Sequence, residues 1–74
     1  MARIRIVPLD DKKETADKIE RIVRAHFPVM QVERISPALW YLHLGNYDWS
    51  TQDAALLNQL AHEDDLLAGW NYIE

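Results

Sequence analysis

The sequence predicts an α+β fold, a four-stranded antiparallel sheet with two helices on one face, in the order strand, helix, strand, strand, helix, strand. Three observations carry this. The run Leu39-Trp40-Tyr41-Leu42-His43-Leu44 is large and mostly apolar at both alternating sets of positions, which marks a central strand covered on both sides. Two segments space their apolar residues as helices do, and each begins with a capping signal. Only Ser36-Pro37-Ala38 separates the second strand from the third, a link short enough to require a hairpin.

Residues 2–9 alternate Ile4 and Ile6 against Arg3, Arg5 and Val7, and so form the first strand. Pro8 lacks an amide donor and belongs at the strand end. Asp11 with Glu14 three residues later makes a helix start, and Ala16, Ile19, Ile22, Val23 and Phe27 form the apolar stripe. Glu14–Lys18, Asp17–Arg21 and Glu20–Arg24 are acid-before-base pairs at i,i+4 on the wet side. Pro28 ends the helix. Residues 29–35 form the second strand and 39–44 the third. Gly45-Asn46-Tyr47-Asp48-Trp49 turns the chain, and Ser50 with Asp53 opens the second helix, whose buried stripe is Leu56, Leu57, Leu60 and Ala61. His62-Glu63-Asp64-Asp65 ends that helix, and residues 66–73 form the last strand, with Trp70 and Tyr72 on one face.

Two split βαβ units of this order make a ferredoxin-like sandwich with strand order 4-1-3-2. The chain is one domain, residues 1–74. The helices cover one sheet face. The other carries Arg3, Arg5, Leu39, Tyr41 and His43, and a homodimer is expected either through that face, at Leu39, Tyr41 and His43, or through the edge strands.

A chain of 74 residues has a thin core, and with no cysteine it lacks disulfides, thiolate zinc sites and cysteine nucleophiles. Its three histidines, His26, His43 and His62, form no ligand-spaced pair, so self-association is the expected support. Arg3 and Arg5 interrupt any secretory apolar segment and no apolar run approaches a membrane span, so the expected compartment is cytoplasmic. All eight Lys and Arg fall between Arg3 and Arg34, among six acids, whereas the six acids after Arg34 have no Lys or Arg beside them. That acidic second half is a poor surface for phosphates, and direct nucleic-acid binding is not expected.

Three pieces carry a family resemblance: Ile4-Arg5-Ile6-Val7-Pro8-Leu9-Asp10, Arg34-Ile35-Ser36-Pro37-Ala38-Leu39-Trp40-Tyr41-Leu42, and Trp49-Ser50-Thr51-Gln52-Asp53 running to Glu63-Asp64-Asp65-Leu66-Leu67. Together they resemble the small ferredoxin-like family of the second CRISPR-associated protein and virulence-associated protein D. The resemblance implies a dimer. It also implies that an acid at the end of strand one, matched here by Asp10, pairs across the subunits to hold a divalent cation for RNA or DNA cleavage. Many members of that family are instead non-catalytic scaffolds. Leu9 after Pro8 stands where the family usually has an aromatic residue.

The candidate site residues have two readings each. Asp10 and Asp11 cap the first helix, or they ligate Mg²⁺, which takes one or two protein carboxylates and keeps its waters. Glu63, Asp64 and Asp65, with Asp48, are solvated turn residues or an acidic docking patch; the spacing is not that of a calcium loop. His43 on a sheet face packs beside its neighbours or acts as a base. Base stacking on the aromatics would need basic neighbours, which only Arg3, Arg5 and Arg34 supply. The reading is a small, acidic, non-catalytic interaction or regulatory domain without a cofactor. It acts as a homodimer and serves as inhibitor or scaffold for a basic, nucleic-acid-binding protein. The alternative is a Mg²⁺-dependent nuclease or toxin-like ribonuclease using Asp10.

Overall fold

The computed structural model describes residues 2–74, ordered as β1 (Arg3–Pro8), α1 (Lys13–His26), β2 (Gln31–Ser36), β3 (Leu39–His43), α2 (Thr51–His62) and β4 (Leu67–Ile73). The sheet is antiparallel throughout, in the order β2-β3-β1-β4. The predicted α+β ferredoxin-like sandwich is therefore the observed one, with β1 and β3 central. Alternation along these two strands decides which side is covered. Ile4 pairs with Leu42 and Ile6 with Trp40, and all four are fully buried, whereas Arg3 and Arg5 on the same strand are exposed. Both helices thus lie on the isoleucine side.

Under α1, Ala16, Ile19 and Val23 complete the core, and under α2, Leu57 and Leu60 do so. The helix layer is closed at one end by aromatic rings. Phe27 stacks on Trp49 at 5.8 Å and meets Tyr47 edge-on at 6.2 Å, and Trp49 lies 5.8 Å from Trp70. Trp70 Nε1 donates to Asn58 on α2 at 2.9 Å, which pins β4 to that helix.

The two helix starts differ. At α2 the predicted capping box is present: Asp53 N donates to Ser50 Oγ at 3.2 Å and Ser50 N donates to Asp53 Oδ2 at 3.0 Å. At α1 the expected Asp11–Glu14 box does not form. The N-cap residue is Lys12, which has no capping side chain, and Asp10 Oδ1 accepts from Lys12 N at 3.0 Å. An Asx-type turn just ahead of the helix replaces the cap.

Of the three predicted i,i+4 pairs, Glu20–Arg24 forms at 2.9 Å. Asp17 pairs with Lys13 at 2.6 Å and faces Arg34 of β2 at 3.6 Å, instead of pairing with Arg21. Glu14 and Lys18 form no ion pair among the described residues. Lys13, one turn earlier on the same helix, takes Asp17 in place of Arg21, and Arg34 reaches both Asp17 and Glu20 from across the fold.

Candidate functional site

The first notable geometry is an acidic pole. Leu9 N donates to Leu66 O at 2.9 Å, and Pro8 pairs with Leu67, so the end of β1 lies against the start of β4. That one backbone contact brings the turn carrying Asp10 and Asp11 beside the turn carrying Glu63, Asp64 and Asp65. Asp11, Glu63, Asp64 and Asp65 are exposed and Asp10 is half-buried. Asp48 is not part of this pole. It lies in the exposed loop ahead of α2, whereas Glu63–Asp65 follow α2, and twelve helical residues put about 18 Å between the two ends.

Asp10 is held below the usual carboxylate range by the Thr15 hydroxyl first and the Lys12 amide second. The Lys12 amide, 3.0 Å from Asp10 Oδ1, occupies a lone pair that a cation would otherwise use. Among the described residues, no group of three or more His, Asp or Glu side chains is placed to hold a metal ion.

The three acids after α2 have a backbone explanation. Asp65 adopts φ +53°, the left-handed region, which Asp and Asn tolerate better than other side chains. The turn around it is closed by Asp64 N donating to Gln59 O at 3.0 Å and Leu66 N donating to Leu60 O at 2.9 Å. Asp65 is therefore a turn residue as well as a charge.

The second geometry is the open sheet face. Arg3 pairs in register with His43, and Arg5 with Tyr41. The Arg3 guanidinium lies 4.6 Å from the centre of the Tyr41 ring, a cation–π contact, and the Tyr41 and His43 rings are 6.5 Å apart. Glu33, opposite Tyr41 on β2, is 2.7 Å from His43 Nε2. Gln31 lies beside His43, and Asn71 beside Arg5. Leu39, Tyr41 and His43 are half-buried. The open face is thus a mixed polar and aromatic one, with the two guanidinium groups of the central strand β1 beside Leu39, Tyr41 and His43.

The two sheet edges are unlike. Both edge strands carry a register shift, β2 between Arg34 and Ser36 and β4 opposite Val7 and Pro8, but β2 also carries the charges of Glu33 and Arg34, which discourage strand addition. β4 presents seven residues, Leu-Ala-Gly-Trp-Asn-Tyr-Ile, with no charge and no proline, and Tyr72 on it is 44% exposed. Sequence reasoning did not separate these edges, although the composition of residues 67–73 held the signal.

Among the described residues no helix is long and apolar enough to cross a membrane. No family model, curated protein or solved structure matches the chain.

Proposed function

We propose that this protein is a small non-catalytic interaction domain that works as a homodimer and offers its acidic pole to a basic protein. The observation behind this is the juxtaposition of two acidic turns by the Leu9–Leu66 backbone contact. It gathers Asp10, Asp11, Glu63, Asp64 and Asp65 at one end, five acids against the exposed Lys12 and Lys13 of the same turn, in a chain whose formal charge is −4. Such a pole attracts a cationic surface and repels phosphates. A nucleic-acid-binding protein has a surface of that kind, which would make this domain its inhibitor or scaffold.

Self-association is assigned to the β4 edge rather than to Leu39, Tyr41 and His43. An uncharged, proline-free edge strand leaves a row of amides and carbonyls free to pair with another strand. Two copies related by a two-fold axis would join β4 to β4 as one continuous sheet. No like charges would meet across that seam, because β4 has none.

The experiment is affinity purification with the wild type and with a double variant, Asp11→Lys with Asp64→Lys. Both side chains are exposed, and neither position needs a left-handed backbone. A basic protein should be recovered by the wild type and lost by the variant. Equal recovery by both would remove the acidic-docking reading.

A further inference from the structure

The fold sorts charge in a way the linear sequence hides. The four strands contain Arg3, Arg5, Arg34 and one acid, Glu33, so they carry a net +2 while the chain as a whole carries −4. Arg34 faces the helices, where Glu20 and Asp17 neutralise it. Arg3 and Arg5 face the open side, and neither forms an ion pair among the described residues. Glu33 shares the open side, hydrogen-bonded to His43, so with Arg3 and Arg5 that side carries a net +1 from its strand residues. Arg3 is also seven residues along the chain from Asp10, about 23 Å of extended strand, well beyond the Debye length of about 8 Å in physiological salt. The acidic pole therefore does little to the potential at Arg3.

We propose that this open face binds single-stranded RNA, with Arg3 and Arg5 on phosphates and Tyr41 as the stacking platform. Three observations support that occupant. Charge complementarity selects a polyanion, since the exposed cations sit in adjacent register positions on β1. The Arg3 guanidinium carbon already lies 4.6 Å from the centre of the Tyr41 ring, a cation–π contact, and a guanidinium plane is itself a surface on which a base stacks. A base can add to that pair or displace Arg3 toward a phosphate. Third, the face runs into a groove of about 470 Å³ lined by Val29, Gln31, His43, Asn46 and Tyr47 among others, a volume in the range of small-molecule sites and sufficient for one nucleotide. Gln31 there and Asn71 beside Arg5 are side-chain amides, able both to donate to and accept from a ribose 2′-hydroxyl. A duplex does not fit this chemistry, because its bases are not free to stack on Tyr41.

Only two arginines act per protomer, so binding is modest. The logarithm of affinity should fall with the logarithm of salt with a slope of about −1.4 for two phosphates on a single strand. The test is fluorescence anisotropy with a fluorescein-labelled twelve-nucleotide oligouridylate, titrated at two KCl concentrations. The wild type should bind in the micromolar range. Arg5→Glu should weaken binding by about tenfold or more, and the milder Arg5→Gln by severalfold with a shallower salt slope. Tyr41→Leu should weaken binding by about tenfold while leaving the slope unchanged. Glu33→Gln should strengthen it. Circular dichroism of each variant confirms the sheet. No anisotropy change at about 100 µM protein in low salt, the weak end of non-specific binding, overturns the proposal. So does binding unaffected by Arg5→Gln, or equal binding of the same-length duplex or oligothymidylate. These readouts are independent of the acidic pole and the β4 edge, so either reading can fail alone.

Discussion

The Arg34 guanidinium lies 4.8 Å from the centre of the fully buried Trp40 ring and pairs at 3.1 Å with Glu20 of α1. One side chain thus ties the edge strand β2 to a helix and roofs the largest core residue. Arg34 is 37% exposed, so its ion pairs alone are worth little, and the stacked contact on Trp40 adds to them. Arg34→Ala should destabilise the fold by about 1–2 kcal/mol in urea denaturation. Arg34→Lys should recover only part of that, because an ammonium cannot cover the ring or meet two carboxylates in one plane.

Beneath that roof, Trp40 Nε1 is buried and has no hydrogen-bond partner among the described residues. An orphaned donor costs about 1–3 kcal/mol. Trp40→Phe removes it together with part of the packing. The net loss should stay near ~1 kcal/mol, well short of the ~3–5 kcal/mol typical of truncating a core Trp to Ala. Differential scanning calorimetry of the two variants measures the difference.

Asp53 holds the loop before α2 together. Burial raises its pKa, but hydrogen bonds from the Ser50 amide, the Tyr47 hydroxyl at 2.9 Å and the Ser50 hydroxyl outweigh that and hold it below the ordinary value. A carboxyl depressed in the folded state contributes stability that is present above its unfolded pKa of about 3.9 and lost as pH falls through its lower folded value. Asp17 and Glu20 are depressed for the same class of reason, Asp17 chiefly by Lys13 and Glu20 chiefly by Arg24. Stability should therefore decline below about pH 4, and Asp53→Asn should flatten that decline without abolishing it. At neutral pH the same variant should cost about 1 kcal/mol as a weakened cap.

The capping box at α2 and the faces of β1 and β3 were legible in the sequence because each is set by residues within a few positions of one another, and the strand order followed from the element order and the handedness of the crossovers. Ser50 and Asp53 need only their own spacing. The acidic pole was not legible, since Asp10 and Asp64 are far apart in sequence and meet only through the Leu9–Leu66 contact. Asp17 is half such a case: its closest partner, Lys13, is as local as the expected Arg21, and only its second, Arg34, comes from a distant strand. Counting charge by halves of the chain hides a second sorting. It averages Arg3 and Arg5 with acids that the fold sends to another surface.

Asp65 offers a test of whether its turn or its charge matters. At φ +53° a glycine is unstrained, and removing an acid from the C-terminal end of a helix also relieves the macrodipole. Asp65→Gly should be neutral to stabilising, by up to about 1 kcal/mol, whereas Asp65→Val should destabilise. If Asp65→Gly lowers the melting temperature, the left-handed turn is not what the residue serves.

Tyr72 sits on the uncharged β4 edge with 44% of its surface exposed. A lysine on an edge strand opposes pairing with a like strand. Tyr72→Lys should shift light scattering at micromolar concentration from a dimer to a particle of 8.7 kDa, with circular dichroism unchanged. A wild type that already scatters as a monomer would refute the seam.

Asp10 separates the interaction reading from the nuclease reading, because asparagine keeps one of its properties and loses the other. The amide of an asparagine at this position would retain an oxygen to accept from Lys12 N, so the turn ahead of α1 should survive and stability should change little. The same substitution removes the charge that a Mg²⁺ ion shared across two subunits would need. Purified wild type and Asp10→Asn should therefore be indistinguishable when incubated with RNA and DNA in excess Mg²⁺. Cleavage by the wild type that vanishes in Asp10→Asn would establish a metal-dependent nuclease and end the non-catalytic reading.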